Sequence, residues 1–138
     1  MFDAIRETIM SASHGLSAQS ARMRVVAENL ANAQSTGSTP GAEPYQRKLT
    51  NFAEVMDDES GVSLVTIDRV TRDHSPFKVE YKPGHPAADE HGYVKLPNVD
   101  ILIETADMRE ASRSYSANLQ VIKQAREIAS MTLDLLRV

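Results

Sequence analysis

Apolar side chains near the start of the chain recur in steps of three and four: Phe2, Ile5, Ile9, Ala12, Leu16, then Gln19, then Met23, Val26, Leu30 and Ala33. One polar position, Gln19, interrupts a seven-residue repeat that runs for more than four heptads. This spacing predicts an amphipathic helix over about residues 2–34 with a coiled-coil-like seam. Gly15 weakens that helix by about 1 kcal/mol relative to Ala and marks a kink or a close backbone contact. Ser35-Thr36-Gly37 supplies a stop. A second pattern of the same kind fills residues 98–137, where one stripe runs Met108, Ser112, Tyr115, Leu119, Ile122, Arg126, Ala129, Leu133, Leu136. A neighbouring stripe runs Val121, Ala125, Ile128, Thr132, Leu135. Two adjacent stripes make a face wider than one partner helix covers. Asn98 after Pro97 is the expected cap of this helix, with Asp100 and Glu104 near its positive end.

Between the helices the period changes. Val62 to Ile67 is rich in β-branched residues, and Phe77, Val79 and Tyr81 alternate with Lys78 and Glu80, which predicts short strands. Ser75-Pro76, Lys82-Pro83-Gly84, His85-Pro86 and His91-Gly92 are turn signals. All six prolines fall between Pro40 and Pro97, and Gly15 is the sole glycine outside residues 37–92. The expected fold is therefore mainly α with a small β-rich insert. It has three parts: an N-terminal assembly helix at 1–36, a β-rich and turn-rich insert at 37–97, and a C-terminal helix at 98–138 that packs on the first.

Length turns this pattern into a statement about assembly. Helices of about 33 and 40 residues would span about 50 and 60 Å. A compact chain of 138 residues has a diameter near ~37 Å. Continuous helices would thus make an elongated molecule, and two helices packed together would leave one apolar stripe uncovered for other subunits. Composition agrees with a thin core: sixteen residues are Ala, only 31 are Leu, Ile, Val or Phe, and Trp and Cys are absent.

Several kinds of chemistry are set aside by what is missing. No apolar run approaches the ~18 residues of a membrane span, and no cleaved signal peptide is expected at the N-terminus. A net charge of −4 argues against general nucleic-acid binding. There is no G-x-S-x-G elbow, no phosphate loop and no cofactor motif. The most metal-like group is His85, Asp89 and His91, in a Pro- and Gly-dense stretch without an evident fourth ligand. A solvated loop is the expected reading there, and a small metal-binding protein the least favoured alternative. A soluble coiled-coil adaptor or export chaperone is the other alternative, against which stands the large insert. Asn29 and Asn32, poor residues for a helix interior, serve either as local caps or as hydrogen-bonding groups that fix register between packed helices. Capping is the commoner role.

Several segments together are similar to one family. They are Ser13-His14-Gly15-Leu16-Ser17-Ala18-Gln19 with Met23 and Ala27-Glu28-Asn29-Leu30-Ala31-Asn32-Ala33, Pro44-Tyr45-Gln46-Arg47-Lys48, the run from Tyr81 to Val99, and Asp107-Met108 with Ala111 to Asn118. On these the chain resembles the bacterial flagellar basal-body rod proteins, most closely those of the proximal rod. The resemblance implies a structural, non-enzymatic subunit without cofactor or small-molecule substrate. It implies export through the flagellar type III apparatus without signal cleavage, and residence in the periplasmic rod. Partners implied are copies of itself, other proximal and distal rod proteins, the rod–export-gate adaptor protein, the membrane ring protein and the export apparatus. The expected subunit contacts are Ile5, Ile9, Leu16, Gln19, Met23, Val26, Asn29, Leu30 and Asn32 on the first helix. On the second they are Met108, Tyr115, Asn118, Leu119, Ile122, Ile128, Ala129, Leu133 and Leu136.

Overall fold

A computed structural model describes residues 1–136 of the chain; the last two residues of the expected C-terminal segment, 137 and 138, lie outside the described residues. The element order is α1 (Phe2–Ala31), β1 (Lys48–Met56), β2 (Ser63–Arg72), β3 (Lys78–Tyr81), β4 (Tyr93–Leu96) and α2 (Ile101–Leu135). The strands form two two-stranded sheets, β1 with β2 and β3 with β4. Two long terminal helices flanking a small antiparallel strand segment are what the change of hydrophobic period predicted. β1 and β4 were not anticipated. Phe52, Val55 and Met56 of β1 are all exposed, so burial never imposed an alternation on it, and β4 is four residues fitted between a turn and Pro97.

The chain divides into two compact units. The first holds Met1–Met23, Asn51–Arg69 and the chain from Arg109 onward. Here α1 and α2 run antiparallel: Gly15 faces Asn118, and Arg22 pairs with Glu110 at 3.5 Å. Ala12, Ala18, Ala111, Ile122 and Ala125 are buried, joined by Leu64 of β2. A Cβ at Gly15 would lie 2.6 Å from the Asn118 amide nitrogen. The glycine is therefore a close helix approach and not a kink. Buried and half-buried positions of α2 step through 104, 108, 111, 115, 118, 122, 125, 129 and 132. That seam runs between the two stripes read from the sequence. The reason is steric, because close helix axes select the small side chains at 111, 118 and 125 and leave Leu119, Ile128 and Leu133 on the flanks. At the hairpin tip, Asp57 N–H donates to Val62 O (2.9 Å), Gly61 N–H to Asp57 O (2.8 Å) and Ser60 N–H to Asp57 Oδ2 (3.0 Å). Gly61 adopts φ +67°, which suits a residue without Cβ.

The second unit holds Arg24–Thr50 and Val70–Met108. Its antiparallel hairpin pairs Lys78 with Leu96, Val79 with Lys95, Glu80 with Val94 and Tyr81 with Tyr93. Alternation puts Val94 on the covered face, where it is buried with Ala87, Pro97 and Val99. Val79, Tyr81 and Tyr93 lie on the exposed face, the two tyrosine rings edge to face at 5.3 Å. Gly92 turns the chain at φ +82°, and a Cβ there would come within 2.9 Å of the Tyr81 ring.

Candidate assembly surface and a buried polar cluster

The start of α2 is capped by Asp100 and not by Asn98. Asp100 Oδ1 accepts the backbone N–H of Leu102 (2.9 Å) and of Ile103 (3.4 Å), satisfying donors that a helix start leaves free. Asn98 is used across the chain instead. Its Oδ1 accepts Arg47 N–H at 2.8 Å, and its amide donates to Asp73 O at 2.9 Å and Ser75 O at 3.1 Å. It thereby ties the residue before β1 to the segment after β2.

Asn29 sits in the last turn of α1 and is 1% exposed. Its amide donates to Lys48 O (2.8 Å) and to Glu104 Oε2 (3.0 Å). Its oxygen accepts Lys48 N–H (2.9 Å) and Tyr45 O–H (2.8 Å). Glu104, also 1% exposed, accepts Arg47 Nε–H at 2.6 Å through its other oxygen. Arg47 reaches Asp73 at 3.5 Å, and Lys48 pairs with Glu28 at 2.5 Å. Asn29 thus mimics a strand partner for Lys48 while holding a buried carboxylate, so it is neither a cap nor a turn former. Asn32 does act locally: its amide donates to Glu28 O (2.9 Å) and its carbonyl accepts Ser35 O–H. The sequence marked Asn29 as anomalous but offered no signal for Glu104, whose acidic charge near a helix start reads equally well as a dipole partner.

Charge in this cluster follows its geometry. Burial pushes the Tyr45 phenol up to about 12, helped by the Glu28 and Glu104 carboxylates and opposed by Arg72. For Arg47, burial works to lower the guanidinium, but the Glu104 hydrogen bond and charge, with Asp73, outweigh it and hold it above its ordinary value. Asp73 is held below the carboxylate range, chiefly by hydrogen bonds from Ser75 and then by Arg47.

The expected contact residues fall into three groups. Val26, Asn29 and Ile122 are buried within the chain. Ile5, Ile9, Leu16, Gln19, Met23, Leu30, Asn32, Met108, Tyr115, Asn118 and Ala129 are half-buried, and Leu119, Ile128, Leu133 and Leu136 are exposed. Val121, Met131 and Leu135 join the exposed group, with Leu135 at 77%. Beside them, an apolar groove of about 300 Å³ is lined by Met1, Ala4, Ile5, Thr8, Val121, Gln124, Ala125 and Ile128. Gln19 Oε1 is buried without a hydrogen-bond partner among the described residues.

The loop around His85, Asp89 and His91 uses its side chains for turns. His85 Nδ1 accepts Ala87 N–H (3.1 Å), and Asp89 Oδ1 accepts the N–H of His91 and of Tyr93, both at 2.9 Å. These bonds, led by the one from Tyr93, hold the Asp89 carboxyl below its usual range. Among the described residues no three His, Asp or Glu side chains gather as metal ligands, and no helix is long and apolar enough to cross a membrane.

Comparison with known proteins agrees with this architecture at both ends of the chain. Residues 9–41 match the family described as flagella basal body rod protein, and residues 90–135 match the flagellar basal body rod FlgEFG protein C-terminal family. The flagellar basal-body rod protein FlgC of Agrobacterium fabrum is 56% identical over 126 residues, covering 91% of each chain. Its namesake in Salmonella typhimurium is 40% identical, covering 90% of this chain and 92% of the relative. The one in Borreliella burgdorferi is 35% identical, covering 94% and 96%. With such identity spread over nine-tenths of both partners, the chain belongs to the FlgC family of flagellar basal-body rod proteins, structural subunits of the basal-body rod.

Proposed function

We propose that this chain polymerises into the rod through the apolar side chains its own fold leaves exposed, and that the resulting stack of helices transmits torque. The observation that carries this reading is that Leu119, Val121, Ile128, Met131, Leu133 and Leu135 of α2, with Leu136 just beyond it, are all exposed. These side chains lie on both flanks of the α1–α2 seam, and exposed apolar surface of that extent has a free-energy reason to find partners. Small residues along the α1–α2 seam let the helix axes approach closely, so stiffness comes from many shallow contacts summed over many subunits. The three-part division at 1–36, 37–97 and 98–138 belongs to the same reading: terminal segments assemble and the insert individualises the subunit. Partners are further copies of this chain, other proximal and distal rod proteins, the rod–export-gate adaptor protein and the membrane ring protein. The subunit reaches the periplasmic rod through the flagellar export apparatus without signal cleavage, and it acts by assembly, not by catalysis.

Leu133→Asp tests this. Leu133 is 53% exposed, so a charge there costs the isolated chain within about 0.5 kcal/mol but places an unpaired carboxylate in any subunit interface. The variant should be exported normally yet fail to complete rods in cells lacking the native chain, with swimming lost. Leu133→Met, a control that keeps the position apolar and of similar volume, should swim. Normal swimming of Leu133→Asp would refute the assembly face.

A further inference from the structure

Two exposed rows run along α2, one on each flank of the seam that packs on α1. Leu119, Arg126 and Leu133 are spaced by seven and form one row; Val121, Ile128 and Leu135 form the other. The rows are offset by two residues, which sets them about 160° apart around the helix. Their surroundings differ. Val121 and Ile128 form one wall of a groove whose other wall is the start of α1. Its apolar part, of about 300 Å³, includes Met1, Ala4 and Thr8. Past Ala4, Thr8 and Val121 the groove continues into a more polar part, lined by Glu7 and Ser11 and bounded by Val62 at the hairpin tip. Glu7 is the one charged side chain that lines either part. The Leu119 row is a ridge, with one cation, Arg126, between two leucines. Neither Glu7 nor Arg126 makes an ion pair among the described residues.

We infer that the groove of one copy receives the ridge of a second copy, Leu133 filling the apolar part and Arg126 pairing with Glu7. The contact rests on the assembly role proposed above and specifies which face meets which. Charge sets the choice of partner face. Ridge against ridge would bring Arg126 onto Arg126, and groove against groove would bring Glu7 onto Glu7, both disfavoured by like-charge repulsion. Ridge in groove joins opposite charges and places a leucine among apolar walls. Spacing agrees with this match. Ile128 to Val121 along the groove and Leu133 to Arg126 along the ridge are each one heptad, about 10 Å. Residue number falls in the same direction along both, so the two α2 helices run parallel. A contact between unlike faces leaves one groove and one ridge free at every stage. It therefore adds a third copy as readily as a second, where a self-complementary face would stop at a pair.

Because the chain contains no cysteine, the contact can be trapped with Thr8→Cys in the groove and Leu133→Cys on the ridge. The variants are full-length chains in cells lacking the native one, oxidised mildly in assembled basal bodies. The same pairs are read in the purified chain at high concentration, so a variant that builds no rods still reports. Thr8→Cys/Leu133→Cys should give a ladder of dimers, trimers and larger species, and either single variant should stay monomeric. Adding Arg126→Glu should lower the ladder several-fold, and adding Glu7→Arg as well should restore it. Failure of that rescue would overturn the pairing. Dimers from Leu133→Cys alone would overturn the contact, because ridge would then meet ridge. A double variant that swims but stays monomeric on oxidation would also overturn it. The exposed leucines would then face other proteins, and the assembly role would stand. Normal swimming of Leu133→Asp together with no ladder would remove both.

Discussion

At the residue scale the most informative side chain is Tyr45, which spends its hydroxyl on Asn29. Its phenol is pushed up to about 12 from an ordinary value of 10.0, first by burial and then by Glu28 and Glu104. A group whose folded value lies above its unfolded value adds stability that is fully present below pH 10 and is lost as pH rises through about 12. Spectrophotometric titration of the four tyrosines should therefore show one phenol lagging the others, and Tyr45→Phe should remove the lagging step. If all four titrate together near pH 10, the cluster does not shield Tyr45. The neighbouring residues show what sequence supports at this scale. Asn29 stood out because an amide inside a helix demands an explanation. Its partners did not, since Tyr45, Arg47, Lys48 and Glu104 are ordinary as single residues. They become a network only through contacts at separations of 16, 19, 57 and 75 along the chain.

At the scale of elements, hydrophobic period located both helices to within a few residues but not the face each one buries. Leu119 and Leu133 dominate the stripe read from the sequence. The seam instead runs through Ala111, Asn118 and Ala125, because distance between helix axes rewards small side chains more than a large leucine rewards burial. Gly15 is the complement of Asn118 in this arrangement, and the pair should be energetically coupled. Gly15→Ala alone gains about 1 kcal/mol of helix propensity but forces the Asn118 amide, 2.6 Å from the new methyl, to move. In a background of Asn118→Ala the clash disappears and the propensity gain should emerge. A double-mutant cycle followed by thermal or urea unfolding should give a coupling of about 1 kcal/mol. Additive effects would mean that the helices do not approach closely at this point.

For the whole chain, burial is concentrated where polar and apolar anchors coincide. Val26, Asn29, Val94, Pro97, Val99 and Glu104 are all close to fully buried, whereas from Leu133 to Leu136 every side chain is exposed. The composition foretold the sparse apolar core, since few large aliphatic residues were present to fill one. It did not foretell that a charged carboxylate would occupy one of the most buried positions. Local opening free energy follows buried contact density, so hydrogen exchange of the dilute monomer should be strongly graded. Amides of residues 26–29, 94–96, 98–99 and 104–111 should exchange slowest. Those of 128–135 should exchange orders of magnitude faster, although both stretches of α2 belong to one continuous helix. Adding a partner that covers Ile128, Leu133 and Leu135 should then slow the fast group selectively. Uniform slow exchange through residue 135 in the monomer would show that the C-terminal leucines stabilise the helix without any neighbour. The reason for assigning them to contacts with other subunits would then disappear.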